Sequence, residues 1–427
     1  MSLAHSKSAS PILTAGGSKG GFASRLWITA AAAASLAVLM LSLPLGAAGF
    51  LTEAFAGAAL MYLYSWKSIR DWIAAAAAAA AFGAIYEVSH AAVGYLSGWD
   101  FAFPAALYVL GGLLVLFYRA TGPSAAEREK LLEIIPNTAL VPGLCLASFL
   151  AVWLDIRLTP RTFDPSLYRF DQALGFAPGF ALARFYWTHP ALRLAAGLVY
   201  NSLPIHMCWM CAVWLRRAPR RVPDVRVVFA VLGVVGFLAY QLCPAAGPVY
   251  LIGNAFPYHA PATPSALSTM AIPDAPRNAM PSLHVATCLL IFYNVWRQAI
   301  PVRIYAALWV VLTAVATLGT GEHYLIDLAM AIPLSIAVQL ACTDPRRNAR
   351  LAAVWIAALA AWLLALRSGF ALRLHDPIPA WSAVALTFVA PAAAWKLQLR
   401  QDRFACSARP ASLPRRPAVS FESNNAG

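Results

Sequence analysis

The residues with the clearest chemical potential are a histidine and an aspartate in the segment GTGEHYLID at 319–327. His323 and Asp327 are four positions apart, a spacing that places two side chains on one face of a helix. A carboxylate one turn from a histidine can fix the tautomer of the ring and stabilise its charged form. A solvated helix start with a local His–Asp pair has the same spacing, so spacing alone leaves both interpretations open.

A second histidine ends the segment RNAMPSLH at 277–284. Pro281 suits the first position of a helix, which places His284 in the first turn. Helix N-termini present N–H groups and a partial positive charge, and they therefore bind anions. Arg277 stands just before this helix start. Two histidines, an aspartate, an arginine and two helix N-termini on one surface together predict a phosphate site.

The elements that must position these residues are membrane helices. The chain is 60% hydrophobic and only 12% charged, whereas a soluble domain has about twice that charged fraction. A membrane helix needs about 20 mostly apolar residues. We therefore predict an all-α, polytopic membrane protein with about twelve spans by this criterion, at 26–48, 51–66, 72–96, 103–118, 136–154, 190–215, 226–243, 281–296, 304–320, 323–342, 351–366 and 378–395.

The basic residues predict the orientation of these spans. With the N-terminus placed in the cytoplasm, 24 of the 32 lysines and arginines fall on the inside and eight on the outside. This bias satisfies the positive-inside rule. Both termini are then cytoplasmic, and both histidine motifs face the periplasm or exterior. The net charge of +14 faces the cytoplasmic leaflet, so we expect membrane lipids and no nucleic acid as partners.

The two histidine segments resemble the second and third signatures of the type 2 phosphatidic acid phosphatase superfamily, P-S-G-H and S-R-x5-H-x3-D. Leucine at position 283 and the sequence GEHYLID at 321–327 resemble the inositol phosphorylceramide synthase and sphingomyelin synthase branch more closely than the general signatures. The segment PAAGPVY at 244–250, and FDP at 163–165 with Asp171, also resemble that branch. The resemblance covers roughly residues 136–342.

The resemblance implies a reaction and a division of labour. His323 is implied to attack phosphorus and form a phosphohistidine, Asp327 to orient and compensate it, and His284 to act as the acid and base. Arg277, Ser282, Thr320 and Gly321 are the expected substrate-binding residues. The substrate is a lipid-linked phosphate, and the mechanism requires neither a metal nor another cofactor.

One part of the family pattern is missing. Ala316 and Thr317 stand where the third signature has its Ser-Arg pair. The first signature of the superfamily cannot be recognised in the sequence. The usual phosphate-gripping cations are therefore absent from their positions. Arg277 is the first substitute to consider, followed by three other arginines on the outer side, Arg161, Arg169 and Arg184.

The resemblance also predicts the organisation of the chain around a six-helix catalytic core at 136–342. Accessory membrane helices lie at 26–135 and 343–396, a cytoplasmic leader at 1–25, and a basic, disordered cytoplasmic tail at 397–427. The outer segments 155–189 and 244–280 are long enough to cover the site.

Three functions compete at this stage. The first is a phosphotransferase of the inositol phosphorylceramide synthase type, and the second is a phosphatase of lipid phosphates or diphosphates. The third is a secondary transporter, because twelve spans are common in transporters. Transporter sites lie near the membrane midplane, where this chain offers only Glu87 and His90, three positions apart in one span.

Overall fold

The structure is a computed structural model of the full chain. It describes residues 53–59, 69–90, 102–122, 125–217, 223–259, 269–273, 275–296, 298–389 and 393. The predicted leader at 1–25, the span at 26–48 and the tail at 397–427 lie outside these residues. So do most of the span at 51–66 and the side chains of Glu87 and His90.

The described part of the chain is mainly helical, as the composition predicts. A short helix occupies 53–59. The longer elements are α1 (Ile69–His90), α2 (Ala102–Ala120), α3 (Ala125–Leu158), α4 (Asp164–Ala173), α5 (Pro178–Thr188), α6 (Pro190–Asn201), α7 (Leu203–Arg217), α8 (Val225–Leu242), α9 (Pro248–Ile252), α10 (Leu283–Val295), α11 (Ile300–Thr320), α12 (Leu325–Thr343), α13 (Pro345–Arg367) and α14 (Pro377–Val389). Two 3₁₀ turns lie at Gly253–Ala255 and Phe370–Arg373.

Among the described residues, five helices are long and apolar enough to cross a membrane. They are the part of α3 from Ile134 to Leu158, then α8, α11, α12 and α13. This finding supports a multi-pass membrane protein, whereas the number of twelve spans stays a prediction. Shorter apolar helices, including α10, lie between them.

Two predicted span boundaries were wrong. The stretch 190–215 is not one helix, because α6 ends at Asn201 and α7 begins at Leu203. Pro204, at the second position of α7, has no N–H with which to continue the hydrogen bonds of α6. The stretch 136–154 is part of a helix that begins earlier, at Ala125, and contains Pro136 in its interior.

The two long outer segments pair with each other. Arg161–Thr162 (β1) and Met270–Ala271 (β2) form an antiparallel pair, with Arg161 opposite Ala271. The first segment also forms α4 and α5, and the second forms α9. The described parts of both segments are therefore folded, and they contact the ends of the neighbouring helices.

The packing of the helices brings the two histidine motifs together. Helix α11 packs against α5, α6 and α10, and α12 packs against α10 and α13. The end of α11, the start of α12 and the start of α10 therefore meet. The backbone N–H of Ser282 donates to the carbonyl of Asp327 at 3.1 Å, which joins the motifs directly.

Candidate active site

His323 lies in the link between α11 and α12 rather than inside a helix. Helix α12 begins at Leu325 with Tyr324 as its N-cap residue. The prediction that His323 and Asp327 share one helix face is therefore wrong in detail, since only Asp327 is helical. The two side chains nevertheless meet, with His323 Nδ1 3.4 Å from Asp327 Oδ2.

The hydrogen bonds of His323 determine which ring nitrogen carries the proton. Nδ1 lies 2.8 Å from the carbonyl oxygen of Ala279. A carbonyl oxygen can only accept, so Nδ1 carries the hydrogen and Nε2 carries the lone pair. Nε2 lies 3.3 Å from the hydroxyl of Ser282. The main orienting group is thus a backbone carbonyl, and the carboxyl of Asp327 lies beside the same ring nitrogen.

His323 is neutral in this environment. Its side chain is buried, and the residue is only 4% exposed. Burial lowers the pKa of His323 from 6.5 to about 4, against the opposing effects of the Glu322 carboxylate and the Ala279 carbonyl. Burial is the dominant cause of the neutral form. A neutral imidazole with a lone pair on Nε2 has the form of a nucleophile.

His284 occupies the first turn of α10, as predicted. The N-cap is Ser282, whose hydroxyl accepts from the N–H of Val285 at 3.5 Å. Pro281 therefore precedes the helix and is not its first residue, contrary to our prediction. The His284 ring is half-buried and stacks on the ring of Tyr200, with centroids 4.3 Å apart and planes 26° apart.

Tyr200 connects the second histidine to the first motif. Its hydroxyl donates to Glu322 Oε2 at 2.7 Å and lies 3.4 Å from His284 Nδ1. Glu322 directly precedes His323 in sequence. The two histidines are thus linked on one side through Ser282 and on the other through Tyr200 and Glu322.

A buried carboxylate, Asp164, ties the outer segments to this site. It accepts from the N–H groups of Ala246 and Gly247, at 2.9 and 2.7 Å, and from the hydroxyl of Tyr324 at 3.0 Å. Burial raises the pKa of Asp164, and these hydrogen bonds oppose that rise. The FDP, PAAGPVY and HYLID segments therefore meet at one side chain.

Two further carboxylates occupy the N-terminus of α12. Asp171 Oδ2 accepts from the N–H of Leu325 at 3.1 Å, and Asp327 Oδ2 accepts from the N–H of Tyr324 at 2.7 Å. Asp171 is buried, and its pKa is raised from 3.8 to about 7 by burial, with the charge of Asp327 adding to the rise. The N–H groups of Tyr324 and Leu325 at this helix end are therefore already bonded to the protein's own Asp327 and Asp171.

Arg277 is engaged by backbone carbonyls. It is 1% exposed, and its guanidinium donates to the carbonyls of Ala275, Ile272 and Thr159 at 2.6, 2.7 and 3.0 Å, and to that of Pro160 at 3.3 Å. These bonds join the residues just before β1 to the residues just after β2. The predicted role of Arg277 as a phosphate cation therefore does not fit this geometry.

The other predicted substrate-binding residues shape the backbone beside His323. The hydroxyl of Thr320 donates to the carbonyl of Ala316 at 3.0 Å within α11.

Gly321 has φ +78°, and a Cβ there would lie 2.5 Å from the Phe256 ring. Gly247 has φ +107°, and a Cβ there would lie 2.4 Å from the Glu322 carbonyl oxygen. Both positions require glycine, because the loop 244–250 lies directly against the link.

The remaining arginine candidates lie at the surface. Arg161 and Arg184 are exposed, and Arg169 bonds to His375 Nδ1 at 2.6 Å.

A fourth arginine, Arg193 in the first turn of α6, lies with its guanidinium carbon 5.1 Å from the centre of the Trp187 ring. Its charge and that of Glu322 act in opposite directions on the pKa of Tyr186, which burial raises.

Sequence reasoning assigned no role to three side chains at or near the motifs: Tyr200 contacts both motifs, Glu322 belongs to one, and the charge of Arg193 acts on Tyr186 together with that of Glu322. Tyr200 lies in an apolar helix, where a tyrosine has the pattern of a packing residue. Glu322 was noted only as part of the motif wording, and Arg193 only in the charge count. The one available signal was that Glu322 is a carboxylate directly beside the predicted nucleophile, among only 18 acidic residues in the chain.

Residues 165–341 match the family model described as PAP2 superfamily, the type 2 phosphatidic acid phosphatases. The matched region contains both histidine motifs and Asp171, and it runs from the second residue of α4 to the last turn of α12. It supports phosphatase or phosphotransferase activity on lipid phosphates and does not distinguish a branch of the superfamily. No curated protein and no solved structure is significantly similar to the chain.

The pKa of Asp171 predicts a pH-dependent stability. Because the folded state holds this proton up to about pH 7 whereas the unfolded chain releases it near 3.8, deprotonation destabilises the fold as the pH rises between these values. Asp171→Asn keeps an acceptor for the N–H of Leu325 and has no charge to bury. We expect its melting temperature, relative to the wild type, to increase from pH 5 to pH 8. Asp376→Asn, at an exposed position, is the control, and an Asp171→Asn difference that does not change with pH would contradict the assignment.

Proposed function

We propose that this chain, whose residues 165–341 match the PAP2 superfamily model, transfers a phosphoryl group from a lipid phosphate or phosphodiester through a phosphohistidine on His323. The observation that carries the proposal is the hydrogen bond from His323 Nδ1 to the carbonyl of Ala279, at 2.8 Å. That bond leaves the lone pair of a neutral ring on Nε2. Nε2 lies 3.3 Å from the hydroxyl of Ser282, and a neutral ring that presents its lone pair there suits a nucleophile.

The reaction then has two steps. In the first, Nε2 of His323 forms a bond to phosphorus, the bond from phosphorus to the leaving oxygen breaks, and protonated His284 gives its proton to that oxygen. In the second, neutral His284 takes the proton of the incoming hydroxyl, whose oxygen bonds to phosphorus as the N–P bond breaks. Asp327, 3.4 Å from Nδ1, compensates the positive charge that forms on the His323 ring.

The acceptor distinguishes a transferase from a phosphatase. We favour a transferase of the inositol phosphorylceramide synthase type, because His323 is buried beneath two outer segments that pair through β1 and β2. Excluding water favours an alcohol acceptor over hydrolysis. A lipid phosphatase is the second candidate, since His284 and Glu322 are only half-buried and water has access to that side.

The cation that binds phosphate is proposed to be Arg193. It is exposed at the start of α6, the helix that carries Tyr200, and its charge reaches Tyr186 together with that of Glu322. Arginine binds phosphate oxygens through paired N–H donors. Arg193 is one of the eight basic residues that the charge distribution places outside. We propose from the same distribution that the active site faces the periplasm or exterior and that both termini lie in the cytoplasm.

Arg193 and Arg277 are expected to respond differently to the same change. Arg193→Gln should raise KM for the lipid phosphate by about tenfold, the effect of losing one charge-assisted contact of about 1.5 kcal/mol, and leave the melting temperature unchanged. Arg277→Gln should lower the melting temperature, because buried carbonyls lose their donors. Kinetics and thermal unfolding of both variants in detergent test this. A raised KM in a stably folded Arg277→Gln, with Arg193→Gln silent, would reverse the two assignments.

The proposed reaction is tested by offering purified protein a panel of labelled lipid phosphates, diphosphates and phosphodiesters, with and without inositol or lipid alcohols. We expect the label to move to an added alcohol, and the product ratio to increase with alcohol concentration. His323→Ala should abolish all turnover, because no other group takes the place of the nucleophile. Free phosphate as the sole labelled product at every alcohol concentration would make the protein a lipid phosphatase.

A further inference from the structure

Tyr200 and Glu322 form a short chain of hydrogen bonds that ends on His284. Glu322 is a carboxylate and can only accept, so the single hydroxyl hydrogen of Tyr200 is directed to Glu322 Oε2, at 2.7 Å. The oxygen of Tyr200 is then left to accept at His284, where the distance to Nδ1 is 3.4 Å. His284 therefore carries its hydrogen on Nδ1.

The ring contact adds a second constraint on the same histidine. Tyr200 and His284 are stacked with centroids 4.3 Å apart. The stack fixes the plane of the imidazole, and the long hydrogen bond fixes its rotation within that plane. Long hydrogen bonds of this kind in a site without substrate can tighten when the substrate binds.

We infer that Tyr200 and Glu322 are positioning residues that hold His284 with Nε2 toward the substrate and stabilise its protonated form during departure of the leaving group. The inference rests on the proposed function and adds residues that the histidine motifs do not contain. Each histidine then has Nδ1 committed to an acceptor, the carbonyl of Ala279 for His323 and Tyr200 for His284.

The chemistry of the step explains what the chain contributes. When the P–O bond breaks, the leaving oxygen takes the proton from His284 Nε2, and His284 becomes neutral with its hydrogen still on Nδ1. The carboxylate of Glu322, acting through Tyr200, favours the charged imidazole before that transfer. The same contact orients the neutral ring to take a proton from the acceptor hydroxyl afterwards. No proton has to leave Tyr200.

Leaving-group dependence separates this role from a structural one. The leaving group of an alkyl phosphate is a strongly basic alkoxide, which needs a proton as it departs. The leaving group of 4-nitrophenyl phosphate is a stable phenolate, which does not. We would measure kcat/KM of the full chain in detergent with both esters, as monoesters or diesters according to which the wild type turns over. The variants are Tyr200→Phe, which keeps the ring, and Glu322→Gln, which keeps an acceptor.

Each variant is expected to lose about 10- to 100-fold on the alkyl ester and less than about threefold on the nitrophenyl ester, because a misplaced acid forfeits part of the roughly 10²- to 10⁴-fold that general acid catalysis supplies. The double variant should lose no more than the larger single loss, because both residues act in one chain. Tyr305→Phe is the matched control, since it removes a tyrosine hydroxyl bonded to a different histidine, His206, at 2.5 Å. It should leave the ratio of the two rates unchanged.

Three other results have defined meanings. Equal losses on both esters, or no loss on the alkyl ester, would overturn the inference. His323→Ala should be inactive on both esters, which separates loss of the nucleophile from loss of the acid. A wild-type protein inactive on every ester would contradict the proposed function itself, and the inference with it.

Discussion

The bonds of Asp164 are the constraint on which the rest of this site depends. Its carboxylate lies fully buried and receives two backbone N–H groups from one segment and the Tyr324 hydroxyl from another. A buried carboxylate is costly unless donors surround it, and each buried donor left without its acceptor costs about 1–3 kcal/mol. This arrangement therefore satisfies the buried polar groups of all three segments. Because Tyr324 follows His323 directly, the same arrangement fixes the proposed nucleophile.

The three buried carboxylates explain how the link around His323 is held. Asp164 binds the side chain of Tyr324, Asp327 binds its backbone N–H, and Asp171 binds the N–H of Leu325. The helix end that would ordinarily attract an external anion is thus satisfied internally. The consequence is a division between a buried, rigid His323 and a half-buried His284 that faces Tyr200 and Glu322. That division suits a nucleophile on one side and a proton donor on the other.

The sequence predicted the short-range parts of this site and missed the long-range ones. Spacing brought His323 close to Asp327 and placed His284 in the first turn of α10, because these features depend on residues within about one turn. It could not show that Arg277 bonds to the carbonyls of Thr159 and Pro160, which lie more than one hundred positions away along the chain. The guanidinium of Arg277 is committed to these carbonyls, which the local sequence pattern does not reveal.

The same limit applies to the helices. Apolar stretches located most of the described helices, since hydrophobicity is a local property. The division of 190–215 into α6 and α7 was missed, although Pro204 was a visible signal. That division matters for the site, because Tyr200 lies in the last turn of α6. Its contacts with His284 and Glu322 arise from packing between helices and leave no trace in the pattern of α6 itself.

The most direct test of the account is to trap the covalent intermediate on full-length protein. Rapid quenching with a lipid substrate labelled in its phosphate should give protein-bound label that is stable to alkali and released by acid, as expected for a phosphohistidine. Peptide mapping should place the label on His323 in the segment 319–327. His323→Ala should carry none. Label that persists in His323→Ala, or that maps to His284 or Ser282, would contradict the assignment of the nucleophile.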